Sequence, residues 1–526
     1  MVHLRTKSRE WWFAGTLAVI TALGFVLRFY QLDDLPTGLF FDEAMNGLDA
    51  IDTLNQTGIR VWIPDNFARG LVAEGLMSHL QAIAFSWFGV SIASLRAPSA
   101  FAGALLVPFV GLLTRELFRT RLGALAAAFL AATSSWAILL SRQAYPAPLV
   151  PLCAAAGTYF AVLGVRRRQT WALVLAGVIF GAGFYSYAAY RVMPLYALVG
   201  VLVGLWVLNR GRVLQAVAWM GGAALVTAAP MLWAFRVEPG LLSARAGSLS
   251  VLGSGGEPFT VATDIGRNGL LAALKYHVNG DLNWRYNISG EPLLDPALGG
   301  LFLVGLVIAL ALIVMSFRAP RGSGKRQFGA SAALVVAGLL ITQIPEILAN
   351  EGNPHALRSI GSQAFVFPIA GLAVGSIVRW TRSWGRAARS LVNAGVGAAL
   401  LISSIVSVQA IFGTYREALG HHYNTQTHLR NVAEYLRASG EEDDVALLGV
   451  FLYDRAVIDF LSPGLNPTYA DTPEQTRDAS VVVLVGGEPG TEEAVTQGRW
   501  LQRREVVDLR PDTDSDFIVL HFGQGS

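Results

Sequence analysis

Two adjacent carboxylates, Asp42 and Glu43, stand in the polar island Gly38-Leu-Phe-Phe-Asp-Glu-Ala-Met-Asn-Gly47, about a dozen residues beyond an apolar run near 12–30. A carboxylate at a membrane boundary is costly to desolvate and tends to serve function or to pair. A carboxylate can take the proton of an attacking hydroxyl, and guanidinium groups suit the negative charge that develops on a departing phosphate. The set Asp42, Glu43, Glu74, His79, Arg142, Tyr190, Arg191, His355 and Arg358 therefore suits transfer of a group from a lipid-linked phosphate. A direct displacement of this kind inverts the reacting carbon, whereas a retaining route wants two closely spaced carboxyls flanking the bond. Asp42 and Glu43 lie about 100° apart on a helix, so only one of them faces a substrate squarely. The plainer alternative makes Asp42 the N-cap of a helix running from Glu43.

What must position these residues is a membrane scaffold. Hydrophobic residues make up 53% of the 526 positions and charged residues 15%, against about 25% charged in soluble domains. Apolar runs near 12–30, 98–118, 122–140, 146–165, 171–189, 192–208, 213–235, 297–317, 328–348, 361–379 and 391–413 predict about eleven transmembrane helices. The first run is too long for a cleavable leader and is read as a retained span. Cys153 is the single cysteine, so no internal disulfide is expected. There is no zinc pattern and no phosphate-binding glycine loop; nucleic acid is not expected as a partner.

Basic clusters, among them Arg115/Arg119/Arg121, Arg166–Arg168, Arg318/Arg321/Lys325/Arg326 and Arg379/Arg382/Arg386/Arg389, belong on the cytoplasmic side. They can all lie there only if Leu76–Val90 does not span. At 1.5 Å per residue that segment reaches only ~22 Å, and it carries Ser78, His79, Gln81 and Ser86. It reads as a juxtamembrane helix. The N-terminus is then cytoplasmic, and the Asp42 loop, the turns near 141–145 and 189–192, the loops 236–296 and 348–360 and the C-terminus are external. Residues far apart in sequence are expected to line one external cavity. The glycine-rich start of the 236–296 loop reads as a flexible lid.

Residues 1–413 are expected to form the membrane domain, with 31–97 as its first external loop. Residues 414–526 read as an external α/β domain, with a helix near 425–438 and strands at Val445–Val450, Val481–Val485 and Phe517–Phe522. A stabilising cap is the alternative role for this tail. Its histidines His421 and His422 read as solvated. Arg358, with His355, reads either as a phosphate contact or as a snorkelling anchor, and Arg191 has the same two readings. Tyr185, Tyr187 and Tyr190 read as an aromatic belt or as a sugar platform.

Asp42-Glu43 after the first span resembles the signature of the C-type glycosyltransferases that use polyprenyl-phosphate sugars. It is most similar to the superfamily of protein O-mannosyltransferases and lipid A aminoarabinose transferases. The resemblance is carried by Phe41-Asp-Glu-Ala-Met-Asn-Gly-Leu-Asp-Ala50 leading to Thr57-Gly58, by Glu74, Phe88-Gly89-Val90 and Leu95-Arg96-Ala97-Pro98-Ser99-Ala100. It continues through Leu117-Phe118, Leu122-Gly123 and Ser141-Arg142. It covers residues 12–200 well and the tail hardly at all. It implies inverting transfer of a sugar from a polyprenyl-phosphate donor to an external glycan, lipid or protein acceptor, at the plasma membrane, with no metal and no cofactor. Asp42 matches the family's first acidic residue, held to act as base or to position the acceptor, and Glu74 matches its acidic residue before the juxtamembrane helix. Gly75-Leu76 depart from the Lys-Pro of the aminoarabinose enzymes there, so His79 or an arginine is the expected substitute for the phosphate contact. Two readings of another class, a lipid-carrier transporter and a non-catalytic glycolipid binder, differ in needing no base; a transporter would also favour internal repeats.

Overall fold

The computed structural model describes residues 2–56, 58–63, 73–241, 250–253, 258–439, 444–486, 490–510 and 516–523. Each of the eleven expected apolar runs falls on helix. Nine helices among the described residues are long and apolar enough to cross a bilayer, or ten if one bent pair counts as a span. The bent pair is Arg121–Thr133 with Ser135–Ser141, turned by 53° at Ser134. The run near 171–189 is shorter than expected: it lies on Thr170–Tyr185, which falls in the 10–17-residue class. The segment 76–90 forms the helix Leu76–Phe88 and is not among the spanning helices.

The chain divides into two compact units. The first comprises Met1–Tyr30, Ile59–Met77 and Pro98–Ile411; the second comprises Gln31–Gly58, Ser78–Ala97 and Phe412–Ser526. Much of the first external loop expected for the membrane domain thus clusters with the tail.

In the first unit, Gln363–Trp380 is buried along nearly its whole length, and small residues let its neighbours close in. A Cβ on Gly123 would meet the carbonyl of Gly371 at 2.3 Å, and one on Gly371 would meet that of Gly123 at 2.5 Å. Such backbone approach is the usual basis of helix association in lipid. The helix Pro296–Phe317 starts cleanly: Asp295 accepts the N–H groups of Ala297 and Leu298, and proline fills the first helical position. The bend at Ser134 leaves helix-end carbonyls without intrahelical partners. Buried Arg28 supplies them, donating to the carbonyls of Ala131 and Ala132 at 3.0 Å each. The expected 236–296 loop contains a helix, Pro258–Leu274. Its proposed glycine-rich lid lies largely outside the described residues.

In the second unit the tail forms a five-stranded sheet. Its strand order is Thr468–Ala470, Val445–Leu448, Val481–Leu484, Phe517–Phe522, Leu501–Val507. The first three strands are parallel, with Val445 opposite Val481, and the last two are antiparallel additions, with Val482 opposite Leu520. Val445–Leu448 and Val481–Leu484 are buried at every position, which explains their unbroken apolar sequence. Thr427–Ser439 is the helix expected near 425–438.

Candidate active site

Asp42 lies in the second unit, in the first turn of the helix Phe41–Asn55. The N-cap position belongs to Phe40, so Asp42 is not the cap that the plainer reading made it. It is half-buried, at the helix end whose dipole favours negative charge. Glu43 has the opposite fate. It is 1% exposed, and its carboxylate accepts from Arg96 Nε at 3.0 Å and Nη2 at 3.1 Å. The same guanidinium donates to the carbonyls of Leu32, Pro36 and Gly38 at 3.3, 2.8 and 2.7 Å. Arg96 therefore holds the loop leading into the helix as well as Glu43. The two carboxylates are divided: Glu43 is built into the loop, and Asp42 stands at its edge.

The tail takes part in the same structure. Thr37 N–H donates to His421 Nε2 at 3.2 Å, and Thr37 Oγ1 lies 2.7 Å from His422 Nδ1 and 2.9 Å from Thr427 Oγ1. Arg430 donates to the carbonyls of Asp33 and Thr37 at 2.8 and 2.9 Å. His421 and His422 are buried, which corrects the expectation that they are solvated. Removal from water lowers the pKa of both, His421 far below the ordinary histidine value. His79, on Leu76–Phe88, is half-buried in this unit.

The other expected residues lie in the first unit. Glu74 stands just before the helix Leu76–Phe88 and ends the short strand Ala73–Glu74 that pairs with Trp62–Ile63. Its carboxylate accepts from Arg191 Nη2 at 2.8 Å, and the Arg191 guanidinium lies over the Phe235 ring at 5.3 Å. Tyr190 is wholly buried and donates to the Phe180 carbonyl, a core role rather than a belt or platform. Arg142 is wholly buried too. Its Nη1 donates to the carbonyls of Leu27 and Arg28 at 3.0 and 3.1 Å, so it caps the end of the first span.

His355 and Arg358 sit on the 348–360 segment. The His355 ring stacks on Tyr286 and its Nδ1 lies 3.6 Å from Asp281 Oδ2, while the His355 backbone N–H donates to Glu346 Oε1 at 2.9 Å. Burial pushes the Asp281 carboxyl up to about 6, against N–H bonds from Asn283 and Ala356 that favour its charged form. Arg358 Nη1 donates to the Glu351 carbonyl at 2.6 Å. Beneath this segment, Lys275 Nζ donates to Glu346, to Gln343 Oε1 at 2.7 Å and to Ser359 Oγ at 2.6 Å. Burial lowers the Lys275 pKa, and Glu346 opposes that shift. Arg96, Asp281 and the Lys275–Glu346 pair are not among the expected site residues. Arg96 does stand in the quoted stretch Leu95–Ala100, the one signal that could have found it.

A family model described as dolichyl-phosphate-mannose-protein mannosyltransferase matches residues 76–233. No curated protein matches the chain. Among solved structures, the chain is similar to ArnT from Cupriavidus metallidurans bound to undecaprenyl phosphate. That likeness has 15% identity and a TM-score of 0.53, and it covers 97% of each chain. It is also similar to the oligosaccharyltransferase of Archaeoglobus fulgidus tethered with an acceptor peptide. The identity there is 13% and the TM-score 0.50, over 90% of this chain and 69% of that one. At such identities the likeness is one of fold, and the fold is that of the C-type glycosyltransferases, a multi-pass membrane architecture.

Proposed function

We propose that this chain, which carries the C-type glycosyltransferase fold, transfers a sugar from a polyprenyl-phosphate donor to an acceptor hydroxyl, with inversion and without a metal. The donor class is supported by the family description and by the undecaprenyl phosphate bound to the ArnT structure. The observation that carries the reading is the division of the carboxylate pair. Glu43 is buried against Arg96, and Asp42 sits half-buried in the first turn of the same helix, where the helix dipole favours its charged form.

In this reading Asp42 takes the proton of the acceptor hydroxyl as its oxygen bonds to the anomeric carbon. The bond from that carbon to the phosphate oxygen breaks, and the electron pair leaves with the polyprenyl monophosphate. Arg191, held by Glu74, and Arg358 with His355 receive the phosphate charge; guanidinium forks match phosphate geometry. His79 is assigned to the donor side with them. Arg142 and Tyr190 are left out of this set because burial commits them to the scaffold. The chemistry is placed on the external face of the plasma membrane, with the N-terminus cytoplasmic.

The test is turnover of a panel of radiolabelled polyprenyl-phosphate sugars by purified wild type and Asp42→Asn, with and without chelator. Transfer that survives chelator and is lost in Asp42→Asn is the expected result. Normal turnover in Asp42→Asn overturns the assignment of the base, and loss with chelator overturns metal independence.

A further inference from the structure

The helix that carries Asp42 has no cap of its own. Phe40 occupies the N-cap position and makes no side-chain cap bond. The N–H of Phe41 donates instead to Oε1 of Gln426, at 2.8 Å, across a sequence separation of 385. Gln426 is itself oriented, because its amide Nε2 donates to Asp454 Oδ1. Asp454 stands at the N-cap of the helix Arg455–Leu461, a place where aspartate ordinarily caps its own helix. It makes no such bond there. Gln426 also adopts φ 58°, a left-handed conformation uncommon outside glycine. The approach is close: a Cβ on Gly38 would lie 2.0 Å from the Thr425 carbonyl oxygen. The Tyr453 ring, next to Asp454, stacks on Phe41 with centroids 5.8 Å apart.

We infer that Gln426, oriented by Asp454, is a positioning residue that caps the Asp42 helix from the tail and so sets the direction of the base. The inference rests on the reading of Asp42 as that base. A carboxylate at Asp454 accepts but cannot donate, which forces the Gln426 NH2 toward it and the Gln426 oxygen toward Phe41. A tail that only covered the membrane domain would need neither the left-handed glutamine nor the diverted aspartate.

The experiment measures donor KM, kcat and amide hydrogen exchange over residues 40–44 in the full-length protein. The variants are Gln426→Ala, Gln426→Glu, Asp454→Asn and Gln426→Glu/Asp454→Asn, beside Asp42→Asn. Gln426→Ala is expected to lower kcat roughly 10- to 100-fold, as small misplacements of reacting groups do, with donor KM little changed and faster exchange at Phe41. Gln426→Glu places two carboxylates together and is expected to behave as badly. The double variant restores the geometry, since Glu accepts from Phe41 and Asn donates to Glu, and is expected to recover most of kcat and the slow exchange. Full kcat in Gln426→Ala, or a double variant no better than Gln426→Glu, overturns the inference. If Asp42→Asn turns over normally, the reading of the base fails instead, while the exchange data still decide whether the cap exists.

Discussion

Arg96 grips Glu43 with two nitrogens of one guanidinium, at 3.0 and 3.1 Å, and neither side chain is more than 1% exposed. A buried pair of this kind is not a general source of stability, but breaking it is expensive, because the survivor is left charged and out of water.

Glu43→Gln and Arg96→Met are each expected to destabilise the protein by about 3–5 kcal/mol. Arg96→Lys should fare little better, since an ammonium cannot span both carboxylate oxygens and three carbonyls at once. The double variant Glu43→Gln/Arg96→Met should recover part of the stability and none of the turnover, because the loop carbonyls of Leu32, Pro36 and Gly38 stay without their donor. Denaturation midpoints in detergent, read beside sugar transfer, check both statements. A double variant as unstable as the worse single variant would show that the pair is not what the loop depends on.

The amino-acid sequence exposes this site unevenly, and the reason is physical. Asp42 and Glu43 are legible because two charges interrupt an apolar, aromatic stretch, and the apolar runs are legible because lipid demands length and composition. The division of labour between the two carboxylates is not legible, since it depends on Arg96, 53 residues away. The Lys275–Glu346 pair joins positions 71 apart and leaves no local trace. His421 and His422 look like surface residues of a polar tail until Thr37, more than 380 residues earlier, closes over them. Arg142 shows the opposite failure: an arginine beside a membrane turn suggests a phosphate, while the structure gives its donors to helix-end carbonyls.

Arg191 supplies the second prediction. Its ion pair with Glu74, 2.8 Å long, is partly shielded, with side chains 19% and 10% exposed. If Arg191 holds donor phosphate, Arg191→Ala should raise donor KM at least about tenfold, the effect of losing one charge-assisted hydrogen bond. The exchange Arg191→Glu/Glu74→Arg keeps an ion pair but moves the cation, so it should fold and still bind donor poorly. Steady-state kinetics against donor concentration decide. Wild-type donor KM in the exchanged protein would reduce Arg191 to a structural partner of Glu74.

The third prediction concerns acid. His421 Nε2 must stay unprotonated to accept from Thr37 N–H, and burial holds its pKa well below the ordinary value. A histidine whose folded pKa is depressed contributes nothing above the unfolded value of about 6.5, where both states are neutral. Below that pH the unfolded chain takes up a proton that the folded tail refuses, so stability falls as pH falls. One unit below, at pH 5.5, the loss is at most about 1.4 kcal/mol for this one group. Asp281, raised to about 6 by burial, works the other way: its carboxyl is easier to keep folded once protonated. The net slope therefore mixes several groups, and the informative quantity is a difference. His421→Gln offers an acceptor that does not titrate, so wild type should lose more melting temperature than this variant between pH 7.5 and 5.5. Equal losses in the two proteins would remove His421 from the acid response and leave it to His422 and the carboxylates.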